Sequence, residues 1–455
     1  MSTALRRGLV KRARGARMTG RASHRQTVSL PLPPPVVSNV EGTWAHDTMS
    51  RRIRTEILEG MVLKDNGDNL TATARERVAS FVSELGQTST TELRPVGDEG
   101  FDADAWNEII GKHRGETWLD APWVVTEYYF YRRILEAVGY FEGDLGDPFE
   151  TQKENGLKSC FPALPALGKL LQASLSAYSS EQGSASDPGL ETTEYYFRAL
   201  LLTSLWGNRM DLSIWPAEAT SDEESTERAR SAMDEVLKNS SKMLLADHSD
   251  KVWAACEAAY PSERMDIVAD NAGFELICDL CLADFLVSSG MTKKVVIHLK
   301  AYPVFVSDAM EKDALRHIEA LGGEDSGVPE EMRAIASRWP ALVREGKWEL
   351  KENPFWVLPL AFWEMPEDLT RHFESSSMVF VKGDANYRRQ IGERTWDFAT
   401  PFETISDYWG APVCCLRTMK SEVACGISEA DQKRAREKDE AWLVSGRYGV
   451  VHAKV

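Results

Sequence analysis

Asp270 and Asn271 stand directly after a short apolar run, Met265, Ile267, Val268 and Ala269, and Asp308 follows a second one, Val304, Phe305 and Val306. Two carboxylates and an amide oxygen make a hard, all-oxygen donor set. Such a set suits Mg²⁺ or Mn²⁺, with water in the remaining positions, and also admits Ni²⁺ or Co²⁺. Two further apolar runs, Met378 to Val381 and Val413 to Leu416, end in KGDANYRR (382–389) and RTMK (417–420). Lys, Arg and turn amides neutralise phosphate oxygens, and Gly383 lets the backbone approach a ligand closely. Together the strand ends carry the equipment for metal-assisted phosphoryl transfer, with Asp270 and Asp308 as the candidate catalytic residues and either a water or Asp308 as the attacking group. Each part also fits a plainer role: Asp-Asn as turn chemistry, Asp308 as a helix cap, Arg388 and Arg389 as a solvated face, Lys420 as a partner for Glu422. Spacing alone does not separate the two.

The elements that must position these residues are legible around them. Between the two acidic turns, Gly273 releases the backbone into a helical pattern with Leu276, Leu280, Ala283 and Leu286 on one face, and Val295 to Leu299 is a second strand ending at Lys300. That is βαβ grammar, and in a doubly wound sheet ligands bind beyond the carboxyl ends of the strands. Met243 to Ala246 reads as another short strand, Asp313 to Leu321 and Pro366 to Phe373 as helices, and Trp356 to Phe362 as an apolar run interrupted by Pro359.

Upstream the period is helical: Ile53, Ile57, Met61 and Val62, then Val78, Phe81 and Leu85, then Trp123 to Val138, Leu164 to Leu175 and Tyr195 to Leu205. The aromatic stripe Tyr128 to Tyr131 reads as core, closed by Arg132 and Arg133 as a snorkelling cationic edge. Asn208 and Asp211 stand at a helix-to-loop transition, and 216–230 reads as an acidic surface loop. The expected division is a basic extension over 1–30, a mainly α-helical subdomain over 31–240 and an α/β metal-binding catalytic domain over 241–455.

A chain of 455 residues with 43% hydrophobic and 27% charged residues buries a large core, and no apolar run reaches the 18 residues of a membrane helix. The net charge of −17 argues against nonspecific nucleic-acid binding. Residues 1–38 carry eight Lys or Arg and no acid, so the tail is electrostatically separate from the body. Its composition fits a disordered extension, a mitochondrial transit peptide or a start site misassigned upstream of Met18; the first is preferred, with a cytoplasmic location. Seven cysteines are an odd count, which favours reduced thiols, and Cys278 and Cys281 fall within a helical pattern that favours packing over metal or redox work.

With these motifs in hand, the chain over about residues 31–455 resembles the damage-control phosphatase family, in the branch that includes sugar-phosphate phosphatases and a proposed protein-glutamate O-methyltransferase. DNAGFELICDL (270–280), FVSD (305–308), KGDANYRR (382–389) and RTMK (417–420) carry the resemblance, with LDAPWVVTEYYFYRRI and LWGNRMDLS in the helical part. The resemblance implies a three-layer α/β/α sandwich with a Rossmann-like sheet and an N-terminal helical subdomain. It implies a divalent cation (Mn²⁺, Ni²⁺, Co²⁺ or Mg²⁺) on Asp270, Asn271 and Asp308, and substrate contacts from Asp384, Ala385, Asn386, Tyr387, Arg388 and Lys420. The implied substrate is a small sugar phosphate such as fructose 1-phosphate or fructose 6-phosphate. In the methyltransferase reading Glu275 meets the cosubstrate S-adenosylmethionine, although no G-x-G turn follows the first strand. A third reading is a non-catalytic sensor of phosphorylated metabolites.

Overall fold

The computed structural model describes residues 28–181, 190–207, 240–323 and 327–455. Most of the basic extension, Asn208, Asp211 and the acidic segment 216–230 lie outside the described residues. Among the described residues seven strands form one sheet: β1 (Leu244–Asp247), β2 (Met265–Val268), β3 (Val295–Lys300), β4 (Trp348–Asn353), β5 (Val379–Lys382), β6 (Val413–Thr418) and β7 (Gly449–Lys454). Their spatial order is β1-β7-β6-β5-β2-β3-β4, and the five from β6 to β4 run parallel. β7 is antiparallel to β6 and parallel to β1, so these two strands run the other way.

From β2 the chain steps through β3 to β4 on one side, then returns to lay β5 on the other side of β2. The strand order therefore reverses between β2 and β5, which opens a crevice at their carboxyl ends. Side chains alternate along each strand, so both faces of the sheet are buried. Met265, Ile267, Ala269, Ile297 and Phe380 pack under the helices Leu164–Glu181, Leu190–Trp206 and Phe274–Ser288. Val268, Val379, Val381 and Val413 meet an aromatic layer that includes Phe355, Trp356, Phe373 and Trp409. This is the expected α/β/α sandwich.

Two strands were not anticipated. β4, WELKEN, lies at the sheet edge with only Trp348 fully buried, so its sequence lacks the continuous apolar run of an interior strand. β7 depends on pairing with β6, far from it in sequence. The run Trp356 to Phe362 forms no strand; with Pro354 at its start and Pro359 inside, it makes two short 3₁₀ turns, Pro354–Val357 and Phe362–Glu364.

The N-terminal helices build a separate core around Trp106, Trp118, Trp123 and Tyr129, into which Tyr302 and Val304 reach from the loop after β3. The first long helix, Thr48–Asp65, is of π type, and its buried apolar residues are Met49, Ile53, Leu58 and Val62. With hydrogen bonds from i to i+5 each turn takes more residues than an α-helix, which turns Leu58 inward in place of the expected Ile57. Arg132 and Arg133 do not snorkel. Both are buried, Arg132 on Asp98 and Asp102, Arg133 on Glu84 and Tyr129, because the surrounding acids come from loops and helices distant in sequence. The seven cysteines are buried and unpaired. No helix among the described residues is long and apolar enough to cross a membrane.

Candidate active site

Asp270, Asn271, Glu275 and Asp308 come together at the carboxyl ends of β2 and β3. Asn271 and Asp308 pair as an antiparallel bridge, and the Ala309 N–H donates to the Asp270 carbonyl at 2.7 Å. Asn271 Nδ2 donates to Asp270 Oδ2 (2.8 Å) and to Glu275 Oε2 (2.9 Å), while Ser307 Oγ donates to Asn271 Oδ1 (2.5 Å). The helix Phe274–Ser288 that carries Glu275 starts at Gly273, whose N–H donates to His317 Nε2 at 2.8 Å. His317 Nδ1 lies 2.7 Å from the Asp313 carbonyl, and burial pulls this imidazole down to about 4, so it caps the helix as a neutral ring.

Gly383, φ 86°, closes the crevice from β5: a Cβ there would stand 1.9 Å from Asp270 Oδ2. Only glycine permits this approach of backbone to carboxylate.

Burial, then the neighbouring Asp308 and Glu275 carboxylates, pushes Asp270 well above the usual carboxylate range. Burial raises Asp308 to about 6, against the pull of Lys300. Asp270 Oδ1 and Asp308 Oδ2 are buried without hydrogen-bond partners. Lys300 Nζ lies 3.2 Å from Asp308 Oδ2, close enough for an ion pair but at an angle that forms no hydrogen bond, and 3.2 Å from Asn386 Oδ1. Behind Glu275, Lys382 Nζ is 3.3 Å from Glu275 Oε1 and 3.1 Å from Asp279 Oδ1. Four buried carboxylates thus face two buried ammonium groups and the half-buried Lys420, so acidic groups outnumber cations. The donor set and this surplus fit one divalent cation.

The expected phosphate-binding cations are largely committed to protein carboxylates. Arg388 donates to Glu127 Oε2 (2.6 Å) and Glu393 Oε2 (2.5 Å) and stacks on Trp123 at 3.8 Å, leaving Nη2 buried without a partner. Arg417 Nε donates to Asp384 Oδ1 (2.7 Å), which also accepts from Ser421 Oγ (3.1 Å) and the Lys420 N–H (3.2 Å). Asp384 therefore ties the 417–421 loop to the helix Asp384–Gln390. The half-buried Lys420 ammonium acts on Asp270, favouring its ionised form.

Of three further residues singled out in the sequence, Asn386 reaches the cluster only through Lys300, and Tyr387 points away from it. Ala385 is buried; Asn386 Nδ2 is held by the Lys382 and Ala269 carbonyls; Tyr387 lies in the aromatic layer, its hydroxyl 3.2 Å from Cys425 Sγ and from His452 Nδ1. Glu127 and Asp279 were missed as neighbours of the site, whereas Lys300 was read at its strand end. Glu127, 261 residues from Arg388, had no signal in the sequence.

A second polar cluster is built around Asp266 of β2. Asp266 Oδ1 is 2.8 Å from His298 Nε2 and 2.6 Å from His372 Nε2, and Asp266 Oδ2 accepts from Arg264 Nε at 2.9 Å. These three side chains converge as metal ligands would. Arg264 balances the Asp266 charge, and the contacts to His298, His372 and Arg264 outweigh burial to hold Asp266 well below the usual range, while His298 Nδ1 stays buried without a partner. The cluster is charge-balanced without a cation, unlike the carboxylates at the strand ends.

The chain is 33% identical over 451 residues to Damage-control phosphatase ARMT1 of Danio rerio, covering 92% of this chain and 97% of that one. The protein of the same name from Rattus norvegicus is 32% identical over 396 residues, covering 83% and 86%. Among solved structures, a DUF89 family protein of Pyrococcus horikoshii aligns over 85% of this chain and 98% of its own, with 13% identity and a TM-score of 0.41. The damage-control phosphatase ARMT1-like domain matches residues 47–435, and the chain belongs to that family.

Proposed function

We propose that the chain hydrolyses small sugar phosphates, of the fructose 1-phosphate or fructose 6-phosphate type, with a divalent cation held by Asp270, Asn271 and Asp308. The observation that carries this reading is the pair of buried carboxylate oxygens without hydrogen-bond partners, Asp270 Oδ1 and Asp308 Oδ2, within a cluster where carboxylates outnumber ammonium groups. When bound, the cation supplies Lewis-acid polarisation of the phosphoryl group and a more acidic water.

The protein's own groups divide the remaining work. Ser307 and Glu275 fix the Asn271 amide from its two ends. Lys420 places positive charge beside Asp270, where phosphate oxygens gain negative charge during transfer, and Arg388 Nη2 offers one further N–H. Asp384 acts by holding Arg417, Ser421 and the Lys420 backbone. Glu275 has one oxygen toward Asn271 and the other toward Lys382, an orienting role that leaves little of its carboxylate for a cosubstrate. The sugar class follows from the family resemblance.

The test is phosphate release from a panel of sugar phosphates by chelator-stripped protein, with Mg²⁺, Mn²⁺, Co²⁺ or Ni²⁺ restored singly. Release that requires metal and vanishes in Asp270→Ala is expected. Release that persists in chelator, or silence across the panel with metal bound, would overturn the proposal.

A further inference from the structure

Phe305 and Val306, just before Asp308, both have left-handed backbones, with φ of 48° and 65°. Neither is glycine, and a β-branched valine there is a strong outlier. Such strain persists only where the surroundings over-determine it. On the inner side the turn is bound to the DN segment: the Ser307 N–H donates to the Phe305 carbonyl, the Ala272 N–H to the Ser307 carbonyl, and the Ala309 N–H to the Asp270 carbonyl, each at 2.7 Å.

On the outer side the Phe305 ring sits against two tyrosines of the helix Trp123–Val138. Its centroid is 4.8 Å from Tyr128, edge to face at 80°, and 4.9 Å from Tyr131. The preceding Val304 and Tyr302 are fully buried in the core of the helical unit, where Tyr302 Oη accepts from Trp106 Nε1 and donates to the Val357 carbonyl, both at 3.1 Å. The segment that delivers Asp308 is thus fixed from the helical unit as well as from the sheet.

We propose that Phe305, clamped by Tyr128 and Tyr131, is a positioning residue that holds the 305–306 turn in its strained form and so sets Asp308 against Asp270 and Asn271. The N-terminal helices then contribute to cation binding without supplying a ligand. This rests on the reading of Asp270, Asn271 and Asp308 as the cation set. Removing the ring lets the turn relax into a right-handed or extended form and carries Asp308 away. A glycine at 306 accepts the left-handed form without the clamp, so it compensates for loss of the ring.

The test is calorimetric titration of Mn²⁺ into chelator-stripped full-length protein, with circular dichroism to show that each variant is folded. Phe305→Ala is expected to weaken Mn²⁺ binding about 10-fold or more, the scale typical of groups that orient ligands. Val306→Gly alone should bind as the parent does, and the double variant should recover most of the loss. Phe305→Ala with parental affinity, or a loss that Val306→Gly does not restore, would overturn the proposal. Asp308→Asn in the same titration keeps the two readings apart: parental binding there overturns the cation set itself, whereas loss there with Phe305→Ala unaffected overturns only the clamp.

Discussion

Asp266 and Asp270 lie four residues apart, about 13 Å along an extended chain. Their chemistry is opposite. Asp266, inside β2, is met by His298, His372 and Arg264 and is held strongly ionised. Asp270, two residues beyond the end of β2, is met by Asn271 and by other carboxylates, and its ionised form is disfavoured. Both are buried, so depth does not explain the difference; the charge of the neighbours does. A buried carboxylate with its counter-charges in place stabilises the fold, and one that lacks them stores free energy that a cation releases on binding.

The contrast breaks most visibly at Asp270. Asp270→Asn should reduce metal-dependent phosphate release to background while raising the stability of the stripped protein by about 1–3 kcal/mol, since a buried charge among like charges is removed. Urea denaturation of the stripped protein reads the second effect, and a loss of stability there would contradict the charge surplus. Asp266→Ala should act in the other direction, costing about 3–5 kcal/mol by leaving Arg264 and two imidazoles without their acceptor. The same denaturation series measures it. Glu275→Gln keeps the shape but weakens the hold on Asn271, so Mn²⁺ affinity should fall about 10- to 100-fold with the fold retained; calorimetry decides.

The smallest effect is the pH dependence of the stripped protein. Asp308 titrates near 6 in the fold against 3.8 for the ordinary carboxyl, so between those values the native form holds more protons than the unfolded chain. Stability then falls as pH rises from about 4 to about 6, by on the order of 1–3 kcal/mol from this group. Asp266 has the opposite sign: its contribution is present above the ordinary carboxyl value and is lost as pH falls. Asp308→Asn should flatten the loss between pH 4 and 6, and Asp266→Asn should not.

Much of the site frame was legible in the sequence because interior parallel strands are continuous apolar runs that end abruptly. β2, β3, β5 and β6 announced themselves this way, and the crevice followed from the rule that ligands bind past their carboxyl ends. What was hidden depends on partners distant in the chain. Arg388 reads as a phosphate cation in KGDANYRR, yet Glu127 and Glu393 engage it. Tyr387 reads as part of the same motif, yet the helix turns it toward His452. The strained Phe305–Val306 turn had no glycine to mark it, because tertiary packing and not local preference imposes its backbone.

Manganese content after equilibrium dialysis separates the two clusters most directly, with stripped parent, Asp308→Asn and His372→Ala measured side by side by mass spectrometry. Parent and His372→Ala should each retain one tightly bound ion, and Asp308→Asn none. Retention in Asp308→Asn with loss in His372→Ala would place the cation at Asp266 and contradict the assignment of the strand-end carboxylates.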